Sequence, residues 1–167
     1  MENKKIQIYT DGSSLGNPGP GGWGVVVIIN NGKTKEQKII EIGGGEKNTT
    51  NNRMELQAVI EALKYIRKSD FLISARQDLA ENKVTIFADS NYVLMGINTW
   101  IHNWEKNGWR TANKKPVLNQ ELWKELIELV RGFKGKIHWE KVKGHSGHIY
   151  NDKADEIATS YASKNYK

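Results

Sequence analysis

The period of apolar and polar positions changes along this chain, and each change marks an element. Residues 4–12 alternate around Ile6 and Ile8, the two-residue repeat of a strand. Gly16 to Gly24 reads as a Gly/Pro turn, and Trp23 to Ile29 as a buried strand. Asn31-Gly32 is a hairpin signal whose return strand covers 33–42, so an antiparallel meander of three strands is expected, ended by Gly43-Gly44-Gly45. The period then lengthens. Leu56, Val59, Ile60, Leu63 and Ile66 keep helical spacing and predict a helix over 53–67. Residues 68–82 carry less pattern, with a short helix read at Ser74 to Glu81. Val84 to Ala88 predicts a strand, 90–97 and 100–107 short helices, and Leu118 to Val130 a longer one. Lys136 to Val142 alternates as a strand, and Asp152 to Ser163 closes the chain as a helix. The predicted order is βββαβαααβα in one α/β domain spanning 1–167.

This order has a geometric consequence. The first strand, the 53–67 helix and the 84–88 strand form a crossover unit, whose two strands run parallel. If they are neighbours, Asp11 and Asp89 lie side by side at strand carboxyl ends, where open α/β sheets bind ligands.

Charge adds a partner class. Lys and Arg number 25 against 19 Asp and Glu, a net charge of +6, which favours an anionic partner. Between Trp100 and Pro116 the bases Lys106, Arg110, Lys114 and Lys115 face the single acid Glu105, and Trp100, Trp104 and Trp109 are interleaved with them. Cations for phosphates and flat faces for sugars and bases make a nucleic-acid surface. The absence of cysteine excludes disulfides and thiolate metal sites. No apolar run approaches the ~18 residues of a membrane span, and the amino terminus leads into a strand rather than an export signal, so the cytoplasm is the expected compartment.

Four carboxylates stand at predicted element ends, and each has a local explanation. Asp11 precedes Gly12 and suits a turn; Glu55 follows Asn52 by three, as in a capping box. Asp89 suits a helix N-cap, and Asp155 follows Asp152 by three near a helix start. Gathered in one place, the four would repel one another and resist ionisation. A fold that gathers them needs a cation, and carboxylates without thiolates suit a hard one, Mg²⁺ or Mn²⁺. His145, in the loop Gly144-His145-Ser146-Gly147-His148, is the candidate for moving a proton, with His148 a weaker rival. Two further motifs are set aside. Gly19 to Gly24 fits G-x-G-x-x-G but leads into a β-rich run, and Gly32-Lys33-Thr34 lacks the first glycine of a P-loop.

These stretches together resemble ribonuclease HI of the bacterial kind over nearly the whole chain. The resemblance rests on Thr10 to Ser13, Leu15 to Gly22, Thr49 to Glu55, Asp89-Ser90 with Tyr92-Val93, Trp100 to Trp104, Lys114 to Val117, and Val142 to His145 with Gly147-His148. It implies a central five-stranded mixed sheet flanked by helices, and hydrolysis of the RNA strand of RNA–DNA hybrids with little sequence preference. It places the catalytic and metal-binding carboxylates at Asp11, Glu55, Asp89 and Asp155, the histidine at His145, and two Mg²⁺ ions in the site with Mn²⁺ as substitute. It further implies a basic protrusion over 100–116, a DNA-phosphate site at Thr50 and Asn119, and hybrid minor-groove contacts at Asn17, Asn51 and Gln57. Trp100, Trp104, Lys106, Arg110, Lys114 and Lys115 would line the path of the hybrid. A monomer without the N-terminal hybrid-binding domain of some relatives, and so of weaker processivity, is expected. The alternatives are a non-catalytic hybrid-binding module and a nuclease or strand-transfer enzyme acting on DNA. Ser14 replaces a cysteine common in the family, and 68–82 is longer than the family connection.

Overall fold

The computed structural model describes residues 5–30, 36–68, 83–133, 135–142 and 148–166. Strands β1 (Lys5–Ser14), β2 (Gly19–Asn30) and β3 (Gln37–Thr49) are followed by α1 (Asn51–Lys68) and β4 (Lys83–Ala88). Then come α2 (Asn91–Met95), a π-helical turn (Gly96–Trp100), α3 (Ile101–Lys106), α4 (Gln120–Gly132), β5 (Lys136–Lys141) and α5 (Ile149–Lys164). The sheet order is β3-β2-β1-β4-β5. The expected order of elements and the five-stranded mixed sheet are both present. Asn31-Gly32 and Ser74 to Glu81 lie outside the described residues, but β2 and β3 pair antiparallel up to Asn30 and Gln37, as a hairpin requires. Among the described residues no helix is long and apolar enough to cross a membrane.

The strand period sorts side chains onto two layers. Ile6 and Ile8 of β1 join Val25, Val27 and Ile29 of β2 beneath the buried stripe of α1, Leu56, Val59, Ile60, Leu63 and Ile66. Each such aliphatic side chain contributes ~1.5–3 kcal/mol on burial. Tyr9, Val26 and Ile28 point to the opposite layer, where Ala154 of α5 packs on them.

Two expectations change. The Gly16–Gly24 segment is not all turn, since β2 begins at Gly19, and Gly43-Gly44-Gly45 does not end β3, which runs on to Thr49. The cause is α5, far away in sequence. A Cβ on Gly24 would lie 2.3 Å from the Ala154 carbonyl oxygen, and one on Gly43 would lie 2.4 Å from the Tyr161 ring. These glycines form a flat seat on which the alanine face of α5 rests at closer range than side chains would allow. The third difference is small: the predicted helices at 90–97 and 100–107 are joined by the π-helical turn into one nearly continuous stretch.

Candidate active site

Topology delivers the first two carboxylates. β1 and β4 are parallel neighbours with Thr10 opposite Ala88, so Asp11 of β1 and Asp89, the first residue past β4, come next side by side. Glu55 arrives from α1. The first turns of this helix press on β1 at Gly12, where a Cβ would stand 2.3 Å from the Glu55 backbone nitrogen. Carboxylate oxygens of Asp11, Glu55 and Asp89 all lie within 4.8 Å of one another. Asp155 comes from α5, and its carboxyl reaches Asp11 closely enough to hydrogen-bond with it, although Asp155 itself is exposed. Asp152 is exposed as well and lines a separate groove against β2 and β3.

The local explanations for these acids give way. Asp11 lies within β1 and accepts a hydrogen bond from the Gly12 N–H at 3.0 Å. The cap of α1 is Thr50, whose hydroxyl accepts from the Arg53 N–H at 3.2 Å, which leaves Glu55 in the interior of the helix. Ser90, not Asp89, caps α2 by accepting from the Val93 N–H at 3.3 Å. α5 starts from His148, so Asp155 is in its second turn.

Electrostatics shows what the arrangement demands. Burial raises the Asp11 carboxyl, with the Asp89 charge adding to it, to a pKa of about 8. Burial, then the charges of Asp11 and Asp89, push Glu55 well above the carboxylate range. Among the described residues Glu55 Oε2 is buried with no hydrogen-bond partner. An orphaned buried oxygen among three converging carboxylates fits a divalent cation held by oxygen donors.

Around the acids lies a second set of residues. Asn17 Oδ1 accepts from the Asn51 N–H at 3.3 Å, fastening the loop before β2 to the start of α1. Gln57 donates to Glu61 at 2.9 Å. Asn119 sits in the left-handed region, φ 62°, and its Oδ1 accepts from Arg53 Nη1 at 3.0 Å. Arg53 also pairs with Glu121 at 2.5 Å. Thr50, Arg53 and Asn119 therefore stand together, and Arg53 was not singled out from sequence although it lies inside the Asn51–Glu55 motif.

The basic segment is a closed loop beyond α3. Val117 N–H bonds to the Trp109 carbonyl at 3.0 Å, Thr111 N–H to the Lys115 carbonyl at 2.8 Å, and Arg110 Nη1 to the Lys114 carbonyl at 3.0 Å. Lys106, Arg110, Lys114 and Lys115 are all exposed, while Trp100, Trp104 and Trp109 form a half-buried ladder with ring centroids 5.8 and 5.9 Å apart. Glu105, the lone acid, is neutralised by a two-pronged pair with Arg131. His145 lies outside the described residues. His148 stacks on Tyr9 and shares a 3.2 Å hydrogen bond with its hydroxyl, so it fastens the start of α5 to β1.

The ribonuclease H family profile matches residues 3–163. The chain belongs to the ribonuclease H family. Its members are endoribonucleases, hydrolases of phosphodiester bonds, and this chain is one of them. A ribonuclease H of Pseudoalteromonas atlantica is 50% identical over 160 residues, covering 96% of this chain and 92% of that protein. The crystal structure of LC9-RNase H1, described as a type 1 RNase H with the type 2 active-site motif, superposes with a TM-score of 0.81 at 32% identity. It covers 98% of this chain and 74% of that one. LC11-RNase H1, solved in complex with an RNA/DNA hybrid, shares the fold with a TM-score of 0.66 at 24% identity, over 97% of this chain and 99% of that one.

Proposed function

We propose that this ribonuclease H hydrolyses the RNA strand of RNA–DNA hybrids with little sequence preference, leaving 5′-phosphate and 3′-hydroxyl ends. The observation that carries this reading is the convergence of Asp11, Glu55 and Asp89, with Asp155 reaching Asp11 from the opposite layer. These carboxylates would hold two Mg²⁺ ions, with Mn²⁺ as substitute. Bound there, such ions supply an activated water and stabilise charge on the leaving oxygen. The chain's own part is to keep the ligands fixed. Asp11 and Glu55 are set by strand and helix backbones in contact, so they need not reorganise when a substrate phosphate arrives. Asp155, exposed at the rim, supports Asp11 from a separate helix. His145 is the proposed proton carrier for the leaving oxygen or for product release.

Strand choice follows from the neighbours of the site. Asn17 and Asn51, fastened together at the start of α1, suit the 2′-hydroxyls that distinguish RNA from DNA, with Gln57 beside them. Thr50 and Asn119, with Arg53 between them, suit a phosphate of the DNA strand. The tryptophan ladder and its basic loop would follow the DNA backbone onward.

The test is direct. Purified protein with Mg²⁺ should cut labelled RNA–DNA duplex and leave RNA–RNA and DNA–DNA duplexes intact, and EDTA should stop it. Cutting of all three, or of DNA–DNA alone, would assign the site to another nuclease reaction. Replacing Lys106, Arg110, Lys114 and Lys115 together by Ala should weaken hybrid binding. It should also flatten the slope of log Kd against log salt by about 0.9 for each phosphate that the variant no longer neutralises. An unchanged slope would show that the loop does not touch phosphates.

A further inference from the structure

Tyr92 stands three residues after Asp89, on α2, and its hydroxyl is the meeting point of two donors. Asn119 Nδ2 donates to it at 3.1 Å and Trp123 Nε1 at 3.0 Å. Arginine can only donate, so the Asn119 atom facing Arg53 must be the carbonyl oxygen. The amide nitrogen then faces Tyr92, and the two partners together fix which way the amide lies. Asn119 Oδ1 points back to α1, two residues before Glu55. A continuous path thus runs from the helix of Glu55, through Arg53, Asn119 and Tyr92, to the segment of Asp89.

The Tyr92 ring is held independently of its hydroxyl. It meets Trp123 at 5.2 Å and Trp100 edge-on at 5.8 Å. Trp123 is fully buried, packed against the π-helical turn at Gly96. The hydroxyl is therefore presented to Asn119 by a rigid aromatic frame, whereas Asn119 is a short side chain on a left-handed residue at the foot of α4.

We infer that the Tyr92 hydroxyl is a positioning group for the DNA strand: it fixes the Asn119 amide for phosphate binding, and it does so from the segment that carries Asp89. The inference rests on the proposed contact of Asn119 with a DNA phosphate. Tyr92 acts through Asn119 and takes no part in bond cleavage. Without the hydroxyl the amide would keep only its contact with Arg53 and lose the partner of its nitrogen.

Tyr92→Phe, Asn119→Ala, the double variant and Leu129→Ala separate the possibilities. Hybrid Kd is measured in EDTA, kcat in Mg²⁺, and melting temperature for each variant. Tyr92→Phe is expected to raise Kd on the order of three- to tenfold, the effect of one polar contact, with kcat nearly unchanged. Added to Asn119→Ala it should bring no further loss, because both remove one interaction. Leu129→Ala, which opens the core at the far end of α4, should lower the melting temperature without moving Kd. If Asn119→Ala raises Kd and Tyr92→Phe does not, or if their effects multiply, the positioning role is refuted and the phosphate contact stands. If Leu129→Ala raises Kd as much as Tyr92→Phe, loss of packing explains the result and the positioning role is again refuted. If Asn119→Ala leaves Kd unchanged, the phosphate contact itself is wrong and the inference falls with it.

Discussion

Asp11→Asn is expected to abolish cleavage, on the order of 10³-fold or more in kcat, while raising the stability of the metal-free protein. Both effects come from one cause. Asp11 is the member of the cluster that touches the others: Glu55 and Asp155 hydrogen-bond with it, and Asp89 acts on it through charge. Its pKa of about 8 means that the folded metal-free protein keeps a proton that the unfolded chain has released between the ordinary carboxylate range and pH 8. Over that window the folded state binds more protons, so stability falls as pH rises. Asparagine has no proton to lose. The variant should melt higher than wild type at pH 8, by roughly 5–10 °C if ~2–4 kcal/mol of buried charge is relieved, and the difference should shrink towards pH 4. Added Mg²⁺ should stabilise wild type more at pH 8 than at pH 5 and should barely affect the variant. Hybrid affinity should persist, because the proposed contacts at Asn17, Thr50, Asn119 and the basic loop are untouched. Thermal melts at several pH values with and without Mg²⁺, beside single-turnover cleavage, check all of this. Retained turnover, or a variant less stable than wild type at pH 8, would mean that Asp11 is not the strained centre of the site.

How much of this was legible in the chain depends on range. Strand and helix periods are local, so βββαβαααβα could be read from Ile6/Ile8, the 56–66 stripe and the 122–130 stripe. The crossover rule made the strands of Asp11 and Asp89 parallel, and their meeting then needed only that the two strands be neighbours, as the pairing of β1 with β4 makes them. Other features needed distant partners. The glycines at 43–45 read as a break because the atoms that require absent side chains are remote in sequence: Tyr161 and Ile157 of α5 at Gly43, the Trp23 ring of β2 at Gly44, and Asn165 with the Gly21 carbonyl at Gly45. The caps were ambiguous for a related reason. Thr50 and Asn52 both suit a cap, and only the true start of α1 decides between them. The path from Arg53 through Asn119 to Tyr92 was not legible at all. It depends on a left-handed residue at 119 and on Trp123 packing against the π-helical turn, and no periodic signal announces either.

Gly12→Ala should cost activity on the order of 10²-fold, although the added methyl carries no charge. The new Cβ would stand 2.3 Å from Glu55 N, 2.4 Å from the Met54 carbonyl carbon and 2.9 Å from Glu55 Cα. All three are backbone atoms of one helix, so no rotamer change relieves the clash, and α1 or β1 must move bodily. Leu56, Val59 and Ile60 lie fully buried behind the contact, which resists the shift. Overpacking of this kind costs ~1–3 kcal/mol. The chemical effect is larger, because the helix that moves carries Glu55, and a ligand displaced by about 1 Å can cost ~10²-fold in rate. The loss should be larger in kcat than in hybrid Kd measured in EDTA: Asn51 and Gln57 shift with α1 and weaken binding somewhat, while the basic loop does not move with Gly12 and keeps its share of the affinity. Gly132→Ala is the control: it ends α4 with open space around its Cβ, and should leave both activity and stability near wild type. If Gly12→Ala retained full kcat, Glu55 would not depend on the contact between strand and helix, and the distances among the three acids would have to be set by something else.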